Sequence, residues 1–445
     1  MVVTFILIYL SIYLSIYLSM CLSIYLSIYV NIKISSLIEN FGSYSRVRGS
    51  INDDWVDRLN HLYTVVLLVI FAVIISTGQY VGDAIQCWCP AEFTDAFVDY
   101  TKSYCWIANT YYIPMKDVIP VEIKEREDQQ ITYYQWVPLI LLFQAFMFKF
   151  PNILWTSTHE LSGLNLDKIV SMAEDTQLGS PDDREETIKN IAHFLTRWLD
   201  AYREYKLNFL VKLRQRSSRL CCFLCSRRQG TFLTGLYVFI KMLYGANVIG
   251  QFFLLNAFMA TDYSVYGIEV LTSLASNTVW RESPRFPRVT LCDLQIRQLQ
   301  NLQRYTVQCV LPINLFNEKI FIFLWFWFVF VATCTCINLL SWFYRFIFSQ
   351  AHIDYVTKYI RWWDTIQTKQ DKKLCQKFTK EYLRDDGFLV LRVIAKNSTD
   401  LVAGDLLRYL WKAYREKNEG KTKEPTEVGP RLHSEEGTTK DDSFV

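Results

Sequence analysis

The chain has 445 residues, 51% hydrophobic, 16% aromatic and 20% charged, with a net charge of +3 at neutral pH. It is too apolar for an ordinary soluble domain and too charged to lie wholly in lipid, so a protein with membrane and aqueous parts is expected. The charge is spread along the chain, without the basic face that nucleic-acid binding requires.

Residues 1–32 carry no charged side chain, long enough by hydropathy alone for a membrane span. Within them SIYLSIYLSMCLSIYLSIY, residues 11–29, repeats every four residues with Ser11, Ser15, Ser19, Ser23 and Ser27 in step. A tetranucleotide repeat read in triplets closes after four codons, and TCT-ATC-TAT-CTA encodes Ser-Ile-Tyr-Leu. Met20, Cys21 and Val30 each lie one base from the repeating codon. Residues 1–30 are therefore read as a low-complexity repeat from a misassigned first exon, with the true start on another exon. A cleaved signal peptide would invert every loop placed below and contradict the charge distribution.

Residues 31–61 form an N-terminal segment ending in Asn52-Asp53-Asp54-Trp55-Val56-Asp57-Arg58, whose acids suit a helix start. Four stretches then have the length and apolarity of membrane helices. They are 62–82, 129–155, 232–259 and 320–343. In the second, Trp136 and Trp155 bracket the apolar run as interfacial aromatics. Pro138 is expected to remove a backbone bond there and bend the helix. The third tolerates one cation, Lys241, expected to snorkel to the interface. Lys206, Lys212, Arg214, Arg216, Arg219, Arg227 and Arg228 precede that span, which puts segment 156–230 in the cytoplasm. Segments 83–128 and 262–318 are then extracellular, and both chain ends are inside. The first of these loops carries nine acids against four bases, in keeping with an outward position.

The inner segments 156–230 and 345–417 mix apolar and charged residues as packed helices do. Asp400 to Tyr414, with Leu401, Leu407, Leu410 and Trp411 at helical spacing, is the clearest unit. Residues 418–445 are too polar to bury a core and are expected to be a disordered tail. Three minor features invite a reading. Cys221, Cys222 and Cys225 among arginines are candidates for acylation, with ordinary reduced thiols as the plain alternative. Ser443-Phe444-Val445 fits the C-terminal ligand of a PDZ domain. Asn397-Ser398-Thr399 is a glycosylation sequon that this topology leaves inside the cell and unused.

Cys87, Cys89 and Cys105 fall in the first outer loop, and Cys292 and Cys309 in the second. In an oxidising exterior disulfides are expected among them, either to hold a rigid surface for another molecule or only to stabilise the loops. Four cysteines allow three pairings, and spacing does not choose among them.

At these residues the chain resembles the innexins, the gap-junction proteins of invertebrates. The resemblance is carried by Tyr133-Tyr134-Gln135-Trp136-Val137, the family signature, and by Cys87-Trp88-Cys89-Pro90-Ala91-Glu92-Phe93. Further segments are Asn247 to Phe253, Phe286 to Asp293, Cys309 to Asn314 and Phe323 to Trp327, all in one order. It covers roughly residues 50–415. The resemblance implies an all-α membrane protein: a four-helix bundle with disulfide-linked extracellular loops and a helical cytoplasmic domain. It implies loop-to-loop bridges, with Cys87 to Cys309 and Cys105 to Cys292 preferred and Cys89 left over. It further implies a plasma-membrane gap-junction subunit in an octameric ring, alone or mixed with other innexins. The first span and the N-terminal segment would line a path for ions and small metabolites, the acids Asp53, Asp54 and Asp57 serving either as simple helix caps or in selectivity, and the ring would dock with its counterpart on the adjacent cell.

Three other readings compete. An enzyme finds no support, since His61, His159, His193, His352 and His433 are scattered and no cofactor, metal or nucleophile motif accompanies them. A tetraspanin-like scaffold lacks that family's paired-cysteine glycine motif here. An undocked hemichannel like the pannexins keeps the pore, but the sugar sequons usual on pannexin outer loops are missing from these.

Overall fold

The computed structural model describes residues 53–177, 180–201, 230–259, 263–276, 285–347, 349–363 and 369–422. Four of its helices are long and apolar enough to cross a membrane. The first, α1, runs Trp55–Tyr80 and contains a π-helical stretch at Leu59–Thr64. The wider turn is held by its own side chains and by the fourth span. Thr64 donates to the Leu59 carbonyl (2.8 Å) and accepts from the Trp327 indole (3.0 Å), and Asn60 donates to Thr335 (2.9 Å). Helix α2 spans Asp95–Ala108, and α3, the second span, Val137–Thr158. Two amphipathic helices follow, α4 at Leu166–Asp175 and α5 at Pro181–Ala201. The third span is α6, Phe232–Met259, and a short α7 covers Tyr266–Ala275. The fourth span lies in α8, Pro312–Ile347. The last helices are α9 (Ser349–Trp363), α10 (Lys369–Lys377), α11 (Arg384–Asn397) and α12 (Asp400–Thr422).

The mostly helical chain also builds a five-stranded antiparallel sheet that the hydropathy pattern did not announce. Its strands are β1 (Gln86–Trp88), β2 (Thr110–Tyr111), β3 (Gln130–Ile131), β4 (Val289–Gln298) and β5 (Asn301–Val310), in the order β1-β5-β4-β2-β3. The long hairpin β4–β5 is the frame, paired from Val289–Val310 out to Gln298–Asn301. Strands of two or three residues from the other loop add to both edges of it, which is why they leave so faint a signal in sequence.

Two apolar cores result. One joins the four spans to the sheet and includes Leu68, Tyr134, Leu141, Phe148, Val248, Phe286, Phe321 and Phe328. The other lies among α4, α5, α9–α12 and the adjoining ends of the spans, and includes Val170, Ile191, Tyr237, Val356, Phe378 and Leu406.

Three expectations are corrected. Pro138 is the second residue of α3, where a missing N–H leaves no helical bond unmade, so it starts the helix rather than bending it. The proline inside that helix is Pro151. Trp155 is not an interfacial aromatic: it is buried in the helical core, stacked on His159 and edge-on to Tyr237. Lys241 does not snorkel; its side chain is buried and paired, as described below. In α12, Leu407, Leu410 and Trp411 are buried as the spacing requires, whereas Leu401 is exposed, and the helix continues past residue 417 to Thr422.

Candidate functional site

At the sheet-bearing end, covalent bonds and one carboxylate hold two distant stretches of chain as a single piece. Cys87 on β1 bonds Cys309 on β5, its partner in the strand register, and Cys105 on α2 bonds Cys292 on β4. One bridge therefore ties an edge strand to the hairpin and the other pins α2 onto it. These are the pairings the family resemblance implied. The sulfurs of Cys87, Cys105 and Cys309 lie within 4.8 Å of one another, so the two bridges are neighbours. Cys89 keeps a free, half-buried thiol, and burial pushes its pKa up.

Asp293, next to a bridged cysteine, supplies the polar tie. It accepts from Arg126 Nη1 (2.9 Å), the Tyr111 hydroxyl (3.0 Å) and the Thr306 hydroxyl (2.7 Å), and Arg126 Nε also reaches the Pro120 carbonyl (2.6 Å). Burial, helped by the adjacent carboxylate, raises the Tyr111 phenol to about 12, so it remains a donor throughout the physiological range.

The signature Tyr133-Tyr134-Gln135-Trp136-Val137 is the joint between this sheet and the second span. The Tyr133 hydroxyl donates to the Arg285 carbonyl (2.8 Å) and its ring meets Phe286 edge-on. Tyr134 is fully buried; its hydroxyl donates to the Trp106 carbonyl (3.3 Å), and its own carbonyl accepts from Gln79 of the first span (2.7 Å). Gln135 donates to the Trp106 carbonyl and to Asn109. Trp136 stays exposed where α3 begins, and Val137 is buried as its first residue. Tyr133, Tyr134 and Gln135 thus engage the first span, the end of α2 and the stretch leading into β4 within three consecutive residues.

At the opposite end of the spans a buried charge cluster fixes the start of α1. Asp54 caps the helix, its backbone N–H bonded to Asp57. Lys241 of α6 donates to both Asp57 oxygens (2.7 Å each) and to Asp54 Oδ2 (3.1 Å). Asp54 also accepts from Lys396 of α11 (2.6 Å) and from the Trp342 indole of α8 (3.1 Å). Burial raises the Asp54 carboxyl, but Lys241 and Lys396 outweigh it and hold the group well below the ordinary carboxylate range. Asp53 meets His61 Nε2 (2.7 Å) and Asn152 of α3 (3.3 Å), and Lys149 approaches His61 Nδ1 (3.4 Å). Arg58 donates to Asn397 (2.9 Å), so the amide of the sequon is an internal contact. Every other span and the helical domain therefore hold the first span at this point. Sequence reasoning set simple capping against a selectivity role for these acids and foresaw none of these partners. The available signal was a lone lysine inside an apolar span facing an acid triplet at the head of another; nothing marked Lys396.

A second buried carboxylate joins the helical domain to the third span. Asp386 of α11 accepts from the Thr234 N–H (2.8 Å) in the first turn of α6, and its own N–H donates to the carbonyl of Gly230 (3.0 Å). Gly230 has φ +65°, which a side chain would strain, and a Cβ there would collide with Arg384. Burial raises Asp386 to about 6 from 3.8, the Thr234 bond only partly offsetting it. A raised acid destabilises the fold where it must ionise: the cost is full above about 6, fades on acidification and is gone below 3.8. Asp386→Asn keeps an oxygen for Thr234 and removes that charge. The variant should unfold later than the parent at neutral pH, by up to about 3 kcal/mol, with the advantage vanishing as the pH falls towards 4 in a thermal melt. A variant less stable at neutral pH would contradict this account.

Cys221, Cys222, Cys225, Ser443, Phe444 and Val445 lie outside the described residues, as does the repeat at 1–30.

A family model, Innexin, matches residues 53–414. Innexin unc-9 of Caenorhabditis elegans is 38% identical over 389 residues, 87% of this chain and 99% of its own length. Innexin-19 of Caenorhabditis briggsae is 36% identical over 410 residues (86% and 91%), and Innexin-3 of C. elegans 37% over 364 (82% and 84%). With the bridged sheet, the signature joint and the four apolar helices all falling inside the matched region, this chain belongs to the innexin family.

Proposed function

We propose that the chain is a gap-junction channel subunit, several copies of which surround an aqueous path that continues into a matching ring on the adjacent cell. Ions and small metabolites would pass, selected by the width and lining charge of the path rather than by a tight filter. The observation that carries this reading, beside family membership, is the rigid sheet made from both loops by two bridges. Such bridges persist in an oxidising exterior, so the sheet-bearing end faces outward, and the basic run 206–228 favours the cytoplasm for the helical end. Four apolar helices cannot enclose a wide path alone, so a ring is required, of eight copies by the family resemblance. Whether the copies are identical or mixed with other innexins, the first span offers an open stripe, Tyr63, Val66, Ile70 and Ile74, that we assign to the path. The charge cluster around Asp54 then sets that span's position from the cytoplasmic end.

Expression in paired cells, with recording from single cells at low external calcium, tests this. Junctional current between pairs is expected. Current in single cells with none between pairs would make the protein an undocked hemichannel, and adhesion without either current would make it a scaffold.

A further inference from the structure

The short helix α7 is divided into three faces, and one of them, apolar, is about half exposed among the described residues. At about 100° per residue, Tyr266, Gly267 and Val270 share one side, where Tyr266 and Gly267 are buried and Val270 packs on the core. Glu269, Thr272, Ser273 and Ser276 share the polar side, where Arg285 pairs with Glu269. Between the two lies an apolar edge of Ile268, Leu271 and Ala275, the first two 52% and 49% exposed.

The depth of this edge is fixed by bonds to the fourth span. The Tyr263 hydroxyl donates to the Phe321 carbonyl (2.6 Å), and the Trp325 indole donates to the Ser264 carbonyl (3.0 Å). Gly267 lies flat on the Trp325 ring, and a Cβ added there would fall inside it. The apolar run of α8 begins just after the exposed Lys319. At 1.5 Å per residue, Phe321 and Trp325 are about 3 and 9 Å beyond that lysine, the depth at which an amphipathic helix rests between headgroups and acyl chains. The half-exposed ring of Phe326 on α8 meets Trp325 edge-on, 5.1 Å between centroids.

We propose that α7 is an interfacial helix that lies in the outer leaflet, its Ile268–Leu271–Ala275 edge against phospholipid acyl chains and its Glu269 side in water. The inference rests on the membrane orientation proposed above. It gives the segment after the third span a lipid contact of its own, so that the loop it leads into is held at the membrane surface as well as by its two bridges.

The test uses the full chain reconstituted in phosphatidylcholine vesicles, with a genetically encoded fluorescent amino acid replacing Ile268, Leu271, Thr272 or, as a reference within the fourth span, Phe330. Ile268 and Leu271 should lose fluorescence to a lipid carrying a nitroxide high on its acyl chain and resist iodide, while Thr272 behaves in the opposite way. Iodide quenching at Ile268 and Leu271 would overturn the proposal, as would protection from both quenchers, which marks a contact between subunits. If Phe330 also escapes every lipid nitroxide, the span assignment itself fails, and the proposal with it.

Discussion

Lys241→Met is expected to cost about 3–5 kcal/mol and to abolish channel current, because it leaves Asp57 buried with no cation while most of its neighbours are apolar helices. The Asp57 oxygens each receive Lys241 at 2.7 Å. Asp54 would suffer less, since Lys396 and the Trp342 indole remain on it. Removing the orphaned charge as well should therefore restore much of the loss: Lys241→Met with Asp57→Leu exchanges a buried ion pair for apolar contact, a swap that is often nearly neutral. The thermal midpoint of detergent-purified protein reads out both steps. If the double variant is no more stable than Lys241→Met alone, the pair is not the source of the loss and the cluster has been misjudged. Recovery of stability without recovery of current would separate two roles: the fold tolerates an apolar substitute, whereas the position of the first span does not.

How far the sequence foretold this arrangement depended on the range of the interaction concerned. The apolar run from about Phe232 to Met259 forms a single helix, because a run of apolar residues is a local property that a window along the chain can read. The second span was misjudged at its start: Gln130 and Ile131 carry no charge and so join the uncharged stretch, yet they pair with Tyr111 and Thr110 in the sheet, and the helix waits until Val137. Two-residue strands are defined by their partners and not by their own pattern, so no window along the chain could reveal them. Pro138 misled for a related reason, since its effect depends on where in the helix it falls. The bridges came from resemblance, not from spacing, and the structure supplies their physical ground in the register that sets Cys87 opposite Cys309. Lys241 was visible as an anomaly but was assigned the commoner explanation. Its real partners lie 184 and 187 residues away, a distance at which only tertiary packing speaks.

Cys292→Ser alone should be more damaging than Cys105→Ser together with Cys292→Ser. Either change removes the bridge that pins α2 to β4, a loss of about 2–5 kcal/mol for a structural disulfide. The single change additionally leaves the Cys105 thiol beside an intact bridge, its sulfur within 4.8 Å of those of Cys87 and Cys309. From there the Cys105 thiolate can attack one of those sulfurs and expel the other as a thiolate, conserving the number of bridges while moving one. A Cys105 to Cys87 or Cys105 to Cys309 bond cuts the tie between β1 and β5 and frees a thiol near Cys89 for further exchange. Peptide mapping under non-reducing conditions should find these mixed bridges in the single variant and a clean Cys87 to Cys309 bond in the double variant. Junctional current in paired cells should follow the same order, absent in the single variant and weak in the double. An unshuffled Cys87 to Cys309 bond in Cys292→Ser would mean that the sheet holds the two bridges too rigidly for exchange, and the two variants should then be equally impaired.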